Sequence, residues 1–176
     1  MSQTISDAEK RDRLRKLIAQ FDTAMLVTRG PDGGLRSRPL AIAKDHDKKG
    51  HDEDDDALYF STSIDSGKVA DLSNDADVNV SLQEKRRFVS LTGTARVVRD
   101  RTLIDKLWAE DWKIWFPKGK DDPSLGILIV QPREASYWDI SGGTGLKYLF
   151  ESAKAYVSGT RPPSDDDERH TAHVKL

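Results

Sequence analysis

Six segments with the composition of β-strands run through this chain, and four of them follow one another without a long helix between them. Each alternates apolar and polar residues or forms a short apolar run, as strands do. Alternating strand–helix units, which would favour a doubly wound parallel sheet, are absent. The order predicts a mainly β (α+β) domain, an antiparallel barrel with helices packed outside it. The predicted strands span residues 23–29, 35–44, 57–62, 77–83, 87–100 and 126–140.

Two prolines and a glycine inside these strands predict local irregularities. Proline has no backbone N–H to donate to a neighbouring strand, so Pro39 indicates a sheet edge or a bulge. Pro132 interrupts the last strand in the same way. Gly93 lies within the strand 87–100 and predicts a bulge there.

Helices are predicted before, between and after the strands. Ser6 and Glu9 have the spacing of a capping box at the start of the first helix. The second helix is short and places Val69 and Leu72 on its inward face. The predicted helices span residues 6–20, 66–74 and 102–116, and an apolar stripe from Leu146 to Val157 indicates a fourth.

The composition excludes several classes of protein. The 176 residues include no cysteine, which removes disulfides, thiolate zinc sites and thiol nucleophiles. The net charge of −2 gives no broad basic surface, so nucleic-acid binding is not expected. No apolar run approaches the ~20 residues of a membrane span. The start of the chain has no apolar signal core, and we therefore expect a cytoplasmic protein.

The chain is expected to form one domain over residues 1–158, followed by a polar and mobile tail over 159–176. Within that tail, Val174 and Leu176 are the residues expected to dock on the barrel if any do. Histidines lie in the loop 45–56 and in the tail, without the regular spacing of metal ligands, so no metal site is expected.

The stretch “STSIDSGKVADL”, residues 61–72, combines hydroxyl groups at a strand end with a lysine at a helix start. Ser61, Thr62, Ser66 and Lys68 are able to donate to an anion, and a helix N-terminus favours one. The stretch lacks the first glycine and the final hydroxyl residue of a P-loop, so a nucleotide triphosphatase is rejected. The alternative is an ordinary N-cap, Asp65 or Ser66, with Lys68 in solvent.

Two arginines in “RSRPL”, residues 36–40, favour the anion site. Arg36 and Arg38 are two residues apart in a strand and therefore share a face. Such a pair needs an anion, a carboxylate partner or water, and the planar guanidinium group suits phosphate. The alternative is an edge strand whose arginines face solvent.

Taken together, these segments resemble the pyridoxamine 5′-phosphate oxidase-like flavin-binding split barrels, in particular the general stress protein 26 type. The resemblance covers about residues 10–158 and depends on the order and spacing of its segments. They are “SRPLAI” at 37–42, “LYFSTSIDSGKVADLSNDADVNVSL” at 58–82, “FVSLTGTARVV” at 88–98 and “LWAEDWKIWFPKGKDDPSLGILIVQPREASYWD” at 107–139.

The resemblance implies a six-stranded antiparallel split β-barrel that forms a homodimer, with FMN or FAD at the subunit interface. The strand of the two arginines, with Ser66 and Lys68, would hold the flavin phosphate. Residues 60–63 would run under the ring or the ribityl chain, and Trp138 would approach from the partner subunit. The implied cofactor-binding residues are Arg36, Ser37, Arg38, Pro39, Phe60, Ser61, Thr62, Ser66, Lys68 and Trp138.

The resemblance implies a flavin-dependent oxidoreductase of the general stress type, with an unknown substrate. The alternative is a non-catalytic flavin carrier, flavin buffer or redox sensor, because the cofactor itself carries the redox chemistry. Pyridoxamine phosphate oxidases have an arginine and a histidine near the C-terminus that hold the substrate, and this chain lacks that pair after Trp138. Gly67 replaces a basic residue that is common before the lysine.

Trp108, Trp112 and Trp115 recur at helical spacing. Large aromatic side chains are usually buried, so these are expected in the core or in the dimer interface. The alternative is a lid over the edge of the flavin.

Overall fold

The barrel predicted from the order of strands is present. A computed structural model describes residues 6–44, 56–139 and 171–176 of the chain. Its α-helices are α1 (Asp7–Ile18), α2 (Gly67–Asn74) and α3 (Arg101–Leu107). Its strands are β1 (Thr23–Arg29), β2 (Leu35–Ala43), β3 (Leu58–Ser63), β4 (Asp77–Glu84), β5 (Arg87–Val98), β6 (Leu125–Asp139) and β7 (Thr171–Lys175).

Six antiparallel strands close into a ring. The sheet runs in the order β3-β2-β1-β4-β5-β6-β7, and a further pairing between β3 and β6 joins its ends. The interior contains the inward-facing apolar side chains of these strands, among them Leu26, Phe60, Val80 and Leu128. α1 packs the apolar face formed by Leu14, Leu17 and Ile18 against the same core. The structure therefore confirms the six-stranded antiparallel barrel with flanking helices.

The proline and glycine positions are explained by the sheet. Pro39 pairs with Met25 of β1, on a part of β2 that has no second neighbour within the described residues, as expected for an edge. The register of β5 and β6 shifts between Thr92 and Gly93, opposite Pro132, which confirms the predicted bulge. β6 pairs with β5 along its length, but the strand on its other side changes at this bulge. The first half of β6 pairs with β3 and the second half pairs with β7.

Gly93 allows the two backbones to approach at the bulge. A Cβ atom at this position would lie 2.2 Å from the carbonyl oxygen of Gln131 and 2.7 Å from Cα of Pro132. Both are backbone atoms of a central strand and cannot rotate away. We expect Gly93→Ala to lower the free energy of unfolding by about 2–3 kcal/mol, measured by urea denaturation. Gly67→Ala is the control, since its Cβ would meet nothing within 4 Å. An equal effect of both substitutions would contradict this explanation.

The predicted helix over residues 102–116 is wrong in its second half. α3 ends at Leu107 because Trp108 has an extended backbone (φ −57°, ψ 128°), and a 3-10 turn follows over Glu110–Ile114. This break brings Trp112 and Phe116 into a second apolar cluster with Ile127 and Ile129, outside the barrel. Trp112 is buried as expected and contacts Trp108 edge to face, whereas Trp115 is 77% exposed.

The end of the predicted mobile tail is part of the sheet. β7 pairs with β6 from Glu134–Lys175 to Trp138–Thr171. Val174 is buried in the barrel core and Leu176 packs against it, so the predicted docking of these two residues is confirmed. The predicted domain boundary at residue 158, the apolar stripe Leu146–Val157 and most of the loop 45–56 lie outside the described residues. In the part of the chain that the structure describes, no helix is long and apolar enough to cross a membrane.

Candidate functional site

The barrel opens between β2 and β3. Within the described residues, these strands pair only through Ile42–Phe60 and Ala43–Tyr59. The rest of β3 pairs with β6 as far as Ser63 and Leu125. The first part of β2 therefore bonds to β1 alone, and the chain passes from β3 into α2 at this opening.

Arg36 and Arg38 face the interior side of the sheet at this opening. Their register partners on β1 are Thr28 and Leu26, which are both buried. Directly opposed residues share a face of a sheet, so the two guanidinium groups lie on the same side as the core. Gly30 leaves room for Arg36, since a Cβ there would lie 2.6 Å from its Cζ. Cations in such a position require counter-charges or polar partners.

Asp71 of α2 provides the counter-charge and is only 2% exposed. Its carboxylate accepts hydrogen bonds from Thr28 Oγ1 at 2.8 Å, Arg36 Nη1 at 3.2 Å and Arg38 Nη2 at 3.1 Å. Arg38 Nη2 also donates to Thr28 Oγ1 at 2.9 Å. The Thr28 hydroxyl first, and then Arg38 and Arg36, hold the pKa of Asp71 below its usual value although burial acts against them.

Two buried polar atoms beside this network have no hydrogen-bond partner. They are Arg38 Nη1 and Ser66 Oγ. Ser66 occupies the N-cap position of α2, yet its side chain makes no capping hydrogen bond. A buried donor without a partner in the chain is costly, so water or a ligand group is needed to satisfy it.

Lys68 adds a third cation to the same place. Burial lowers the pKa of its ammonium group, and the nearby Arg38 lowers it further. No ion pair of Lys68 occurs in the part of the chain that the structure describes. Arg38, Ser66 and Lys68 therefore form a cluster of donors with excess positive charge, which fits a phosphate group; we call these three residues the anion cluster.

Of the partners that the sequence allowed for the two arginines, the structure shows a carboxylate, Asp71. The alternative of an edge strand with arginines in solvent holds in part, because the side chain of Arg36 is 46% exposed on a part of β2 that has no second neighbour within the described residues. The anion stays a prediction, for which Arg38 Nη1 is free.

Sequence reasoning missed Asp71 and Thr28. The pattern of α2 gave no signal for Asp71, because at 3.6 residues per turn it lies about 160° around the helix from Val69 and about 100° from Leu72, off the face predicted to turn inward. Asp71 is the buried residue of this helix, while Val69 and Leu72 are half-buried.

The other predicted site residues lie around the opening or away from it. Phe60 and Thr62 point into the barrel and are buried, and Thr62 donates to the carbonyl oxygen of Ser63. Ser61 is half-buried on the outer face. Ser37 and Pro39 are exposed on the face of β2 opposite the arginines. Their roles towards a cofactor stay predictions.

Trp138 lies on the second half of β6, paired with Phe88 and Thr171. Ser61–Ser63 pair with the first residues of β6, on the other side of the bulge. The anion cluster and Trp138 are therefore not brought together by the strand pairing of one chain.

Lys68→Met is expected to stabilise the unliganded fold, because it removes a desolvated cation that repels Arg38. A lysine whose pKa is lowered by folding destabilises the folded state below that pKa, and the penalty disappears as pH rises to its unfolded value. We expect a melting temperature higher by roughly 2–4 °C at pH 7, and a smaller gain at pH 10. Lys85→Met is the control, since Lys85 is exposed. A lower melting temperature for Lys68→Met would contradict the repulsion.

The chain is similar in sequence to known proteins. The family model described as pyridoxamine 5′-phosphate oxidase like matches residues 9–163. The chain belongs to this family. Protein bli-3 of Neurospora crassa is 31% identical over 140 residues, which are 73% of this chain and 64% of that protein. This pyridoxamine 5′-phosphate oxidase-like chain therefore spans less than two thirds of the length of that curated relative.

Solved structures show the same fold. A protein described as general stress protein 26 from Jannaschia sp. CCS1 has a TM-score of 0.67 at 22% identity, with 97% of this chain and 100% of that chain covered. A general stress FMN/FAD binding protein from Xanthomonas citri has a TM-score of 0.59 at 26% identity, with 72% and 86% covered. The pyridoxamine 5′-phosphate oxidase-like barrel is thus common to the three proteins.

Proposed function

We propose that this protein binds FMN, with the phosphate group held at the opening between β2 and β3. The observation that carries the proposal is the pair of buried donors without partners, Arg38 Nη1 and Ser66 Oγ, beside the half-buried Lys68. A phosphate oxygen would satisfy each donor and relieve the repulsion between Lys68 and Arg38. The Xanthomonas citri relative, described as an FMN/FAD binding protein, supports a flavin as the molecule that carries this phosphate.

The site suits the terminal phosphate of FMN. Arg36, Arg38 and Lys68 are three cations, and the carboxylates of Asp71 and Asp32, which pair with the arginines, leave a net charge of +1 that attracts an anion. The phosphomonoester of FMN carries about −1.5 to −2 at pH 7 and has three free oxygens for the donors of Arg38, Ser66 and Lys68. The phosphate next to the ribityl chain of FAD is a diester with two free oxygens. The ribityl chain and the ring of FMN would then follow Ser61–Ser63.

A homodimer is part of the proposal. Met25 and Leu35 are large apolar side chains exposed on the outer face of β1 and β2, in line with the exposed Pro39. A second subunit on this face would bury them and cover the opening. Trp138 of the partner subunit would then approach the flavin. Light scattering is expected to give twice the chain mass, and a monomer that binds FMN tightly would contradict this part.

Flavin-dependent oxidoreduction is the activity that we propose, and the flavin supplies the transfer of electrons when it is bound. The contribution of the chain is to bind and orient it: the anion cluster fixes the phosphate, and the barrel excludes water from one side. A flavin carrier, buffer or redox sensor would use the same site without turnover.

The test begins with the absorption spectrum of the purified protein before and after addition of FMN. A shifted flavin band that saturates near one FMN per chain supports the binding site. An unchanged spectrum with FMN in excess would overturn it. NAD(P)H is then added under anaerobic conditions, followed by an electron acceptor. Rapid reduction and reoxidation favour the oxidoreductase, and their absence with FMN still bound favours the carrier.

A further inference from the structure

The candidate site contains a buried carboxylate that no ligand-binding role explains directly, because a carboxylate repels phosphate. Asp71 nevertheless lies at the centre of the site, in contact with both arginines. We propose that Asp71 is a positioning residue, which orients Arg36 and Arg38 so that the Nη1 atom of Arg38 stays free for the phosphate. This inference rests on the proposed FMN binding.

The hydrogen bonds of Arg38 carry the first step of the argument. Its Nη2 atom donates to Asp71 and to Thr28, at 3.1 and 2.9 Å. These two bonds use both hydrogens of Nη2 and fix the plane of the guanidinium group. The remaining Nη1 is buried and has no partner. A guanidinium group held in this way needs little further ordering to bind an anion, which lowers the entropic cost of binding.

Arg36 is held by the same carboxylate but from the other oxygen. Its Nη1 atom lies 3.2 Å from Asp71 Oδ1, whereas Arg38 uses Oδ2. One buried carboxylate therefore separates and aligns two cations that would otherwise repel each other. Thr28 completes the arrangement, because its hydroxyl donates to Asp71 and accepts from Arg38.

Positioning and charge predict opposite effects of Asp71→Asn. If Asp71 acted only as a negative charge near the phosphate, the substitution would raise the site charge from +1 to +2 and tighten FMN binding. If it positions the arginines, the substitution weakens FMN binding in spite of the greater positive charge. The direction of the change in affinity therefore separates the two roles.

The experiment compares FMN with riboflavin, which has the same ring and ribityl chain but no phosphate. Both are titrated into the wild-type protein and the Asp71→Asn variant, with flavin fluorescence as the readout. We expect the Kd for FMN to rise at least tenfold and the Kd for riboflavin to change less than twofold. A general loss of structure would instead weaken both ligands alike.

Asp75→Asn is the matched control, because Asp75 ends the same helix and pairs with Arg29 at 3.2 Å. We expect this control to leave both dissociation constants within twofold. If Asp71→Asn does not unfold cooperatively, the variant is not folded and Thr28→Val is tested in its place. We expect Thr28→Val to raise the Kd for FMN at least threefold and to leave the Kd for riboflavin unchanged. Equal or tighter FMN binding by Asp71→Asn, or an equal loss of both flavins, would overturn the inference. A wild-type protein that binds neither flavin would overturn the proposed function as well.

Discussion

Arg38→Ala is expected to weaken FMN binding on the order of 100-fold. The side chain offers a buried, unpartnered Nη1 atom to the proposed phosphate and a full positive charge beside it. Hydrogen bonds to charged groups contribute about 1.5–3 kcal/mol each, and 1.4 kcal/mol corresponds to a tenfold change in affinity. Two such bonds to the phosphate account for the expected loss. Isothermal titration with FMN measures it, and riboflavin serves as the ligand without phosphate.

The same substitution is expected to destabilise the fold. Arg38 pairs with the buried Asp71 and accounts for two of the hydrogen bonds in its network. Removal of Arg38 leaves the buried Asp71 with only Arg36 and Thr28 to compensate its charge, and a buried charge that loses a partner is costly. We expect the melting temperature of the unliganded protein to fall by roughly 5–10 °C. Binding and stability must therefore be measured together, at a temperature well below the transition.

Arg29→Ala is the control for both measurements. Arg29 is also an arginine on this sheet and pairs with an aspartate of the same helix, but this pair is more exposed than that of Arg38. We expect little change in FMN affinity and a shift in melting temperature of about 2 °C or less. If Arg38→Ala bound FMN like the wild type, the phosphate would have to lie elsewhere.

The fold followed from the sequence where the pattern of residues reports directly on the backbone. Alternating strands, Gly93 and Pro39 each correspond to one local requirement, and the structure contains a barrel, a bulge and an edge at those places. The helix predicted over 102–116 failed because the spacing of its apolar residues indicated helical turns but carried no signal for an interruption between them. The break at Trp108 is decided by packing against Ile127 and Ile129, which are distant in sequence.

The sequence predicted the cationic and hydroxyl residues of the candidate site but not its buried carboxylate. Arg36, Arg38, Ser66 and Lys68 were found because cations and hydroxyl groups indicate an anion. Asp71 was missed since a single aspartate in a short helix usually lies in solvent. Its burial depends on three residues of β1 and β2 that are 33 to 43 positions away in the chain. Contacts of that kind are set by the closure of the barrel, and no local pattern contains them.

Phe60→Ala has the largest expected effect on stability. The side chain is 0% exposed and lies in the barrel core at the start of the opening, where Phe60 pairs with Ile42. Truncation of a buried phenylalanine to alanine costs about 3–5 kcal/mol, because apolar contacts are lost and a cavity remains. Urea denaturation of the unliganded variant measures this loss. Phe60→Leu keeps most of the volume and is expected to cost less than about 1.5 kcal/mol.

The same variant tests the role that the family resemblance gave to Phe60. That role placed residues 60–63 under the flavin, whereas the side chain of Phe60 points away from the outer surface and into the core. Phe60 is therefore able to face a flavin only through its backbone, which alanine retains. We expect the folded Phe60→Ala protein to bind FMN within about threefold of the wild-type affinity, since threefold is less than 1 kcal/mol. Loss of FMN binding with an unchanged free energy of unfolding would contradict this expectation. It would show that the side chain of Phe60 contacts the flavin, which requires a different arrangement of the core in the bound state.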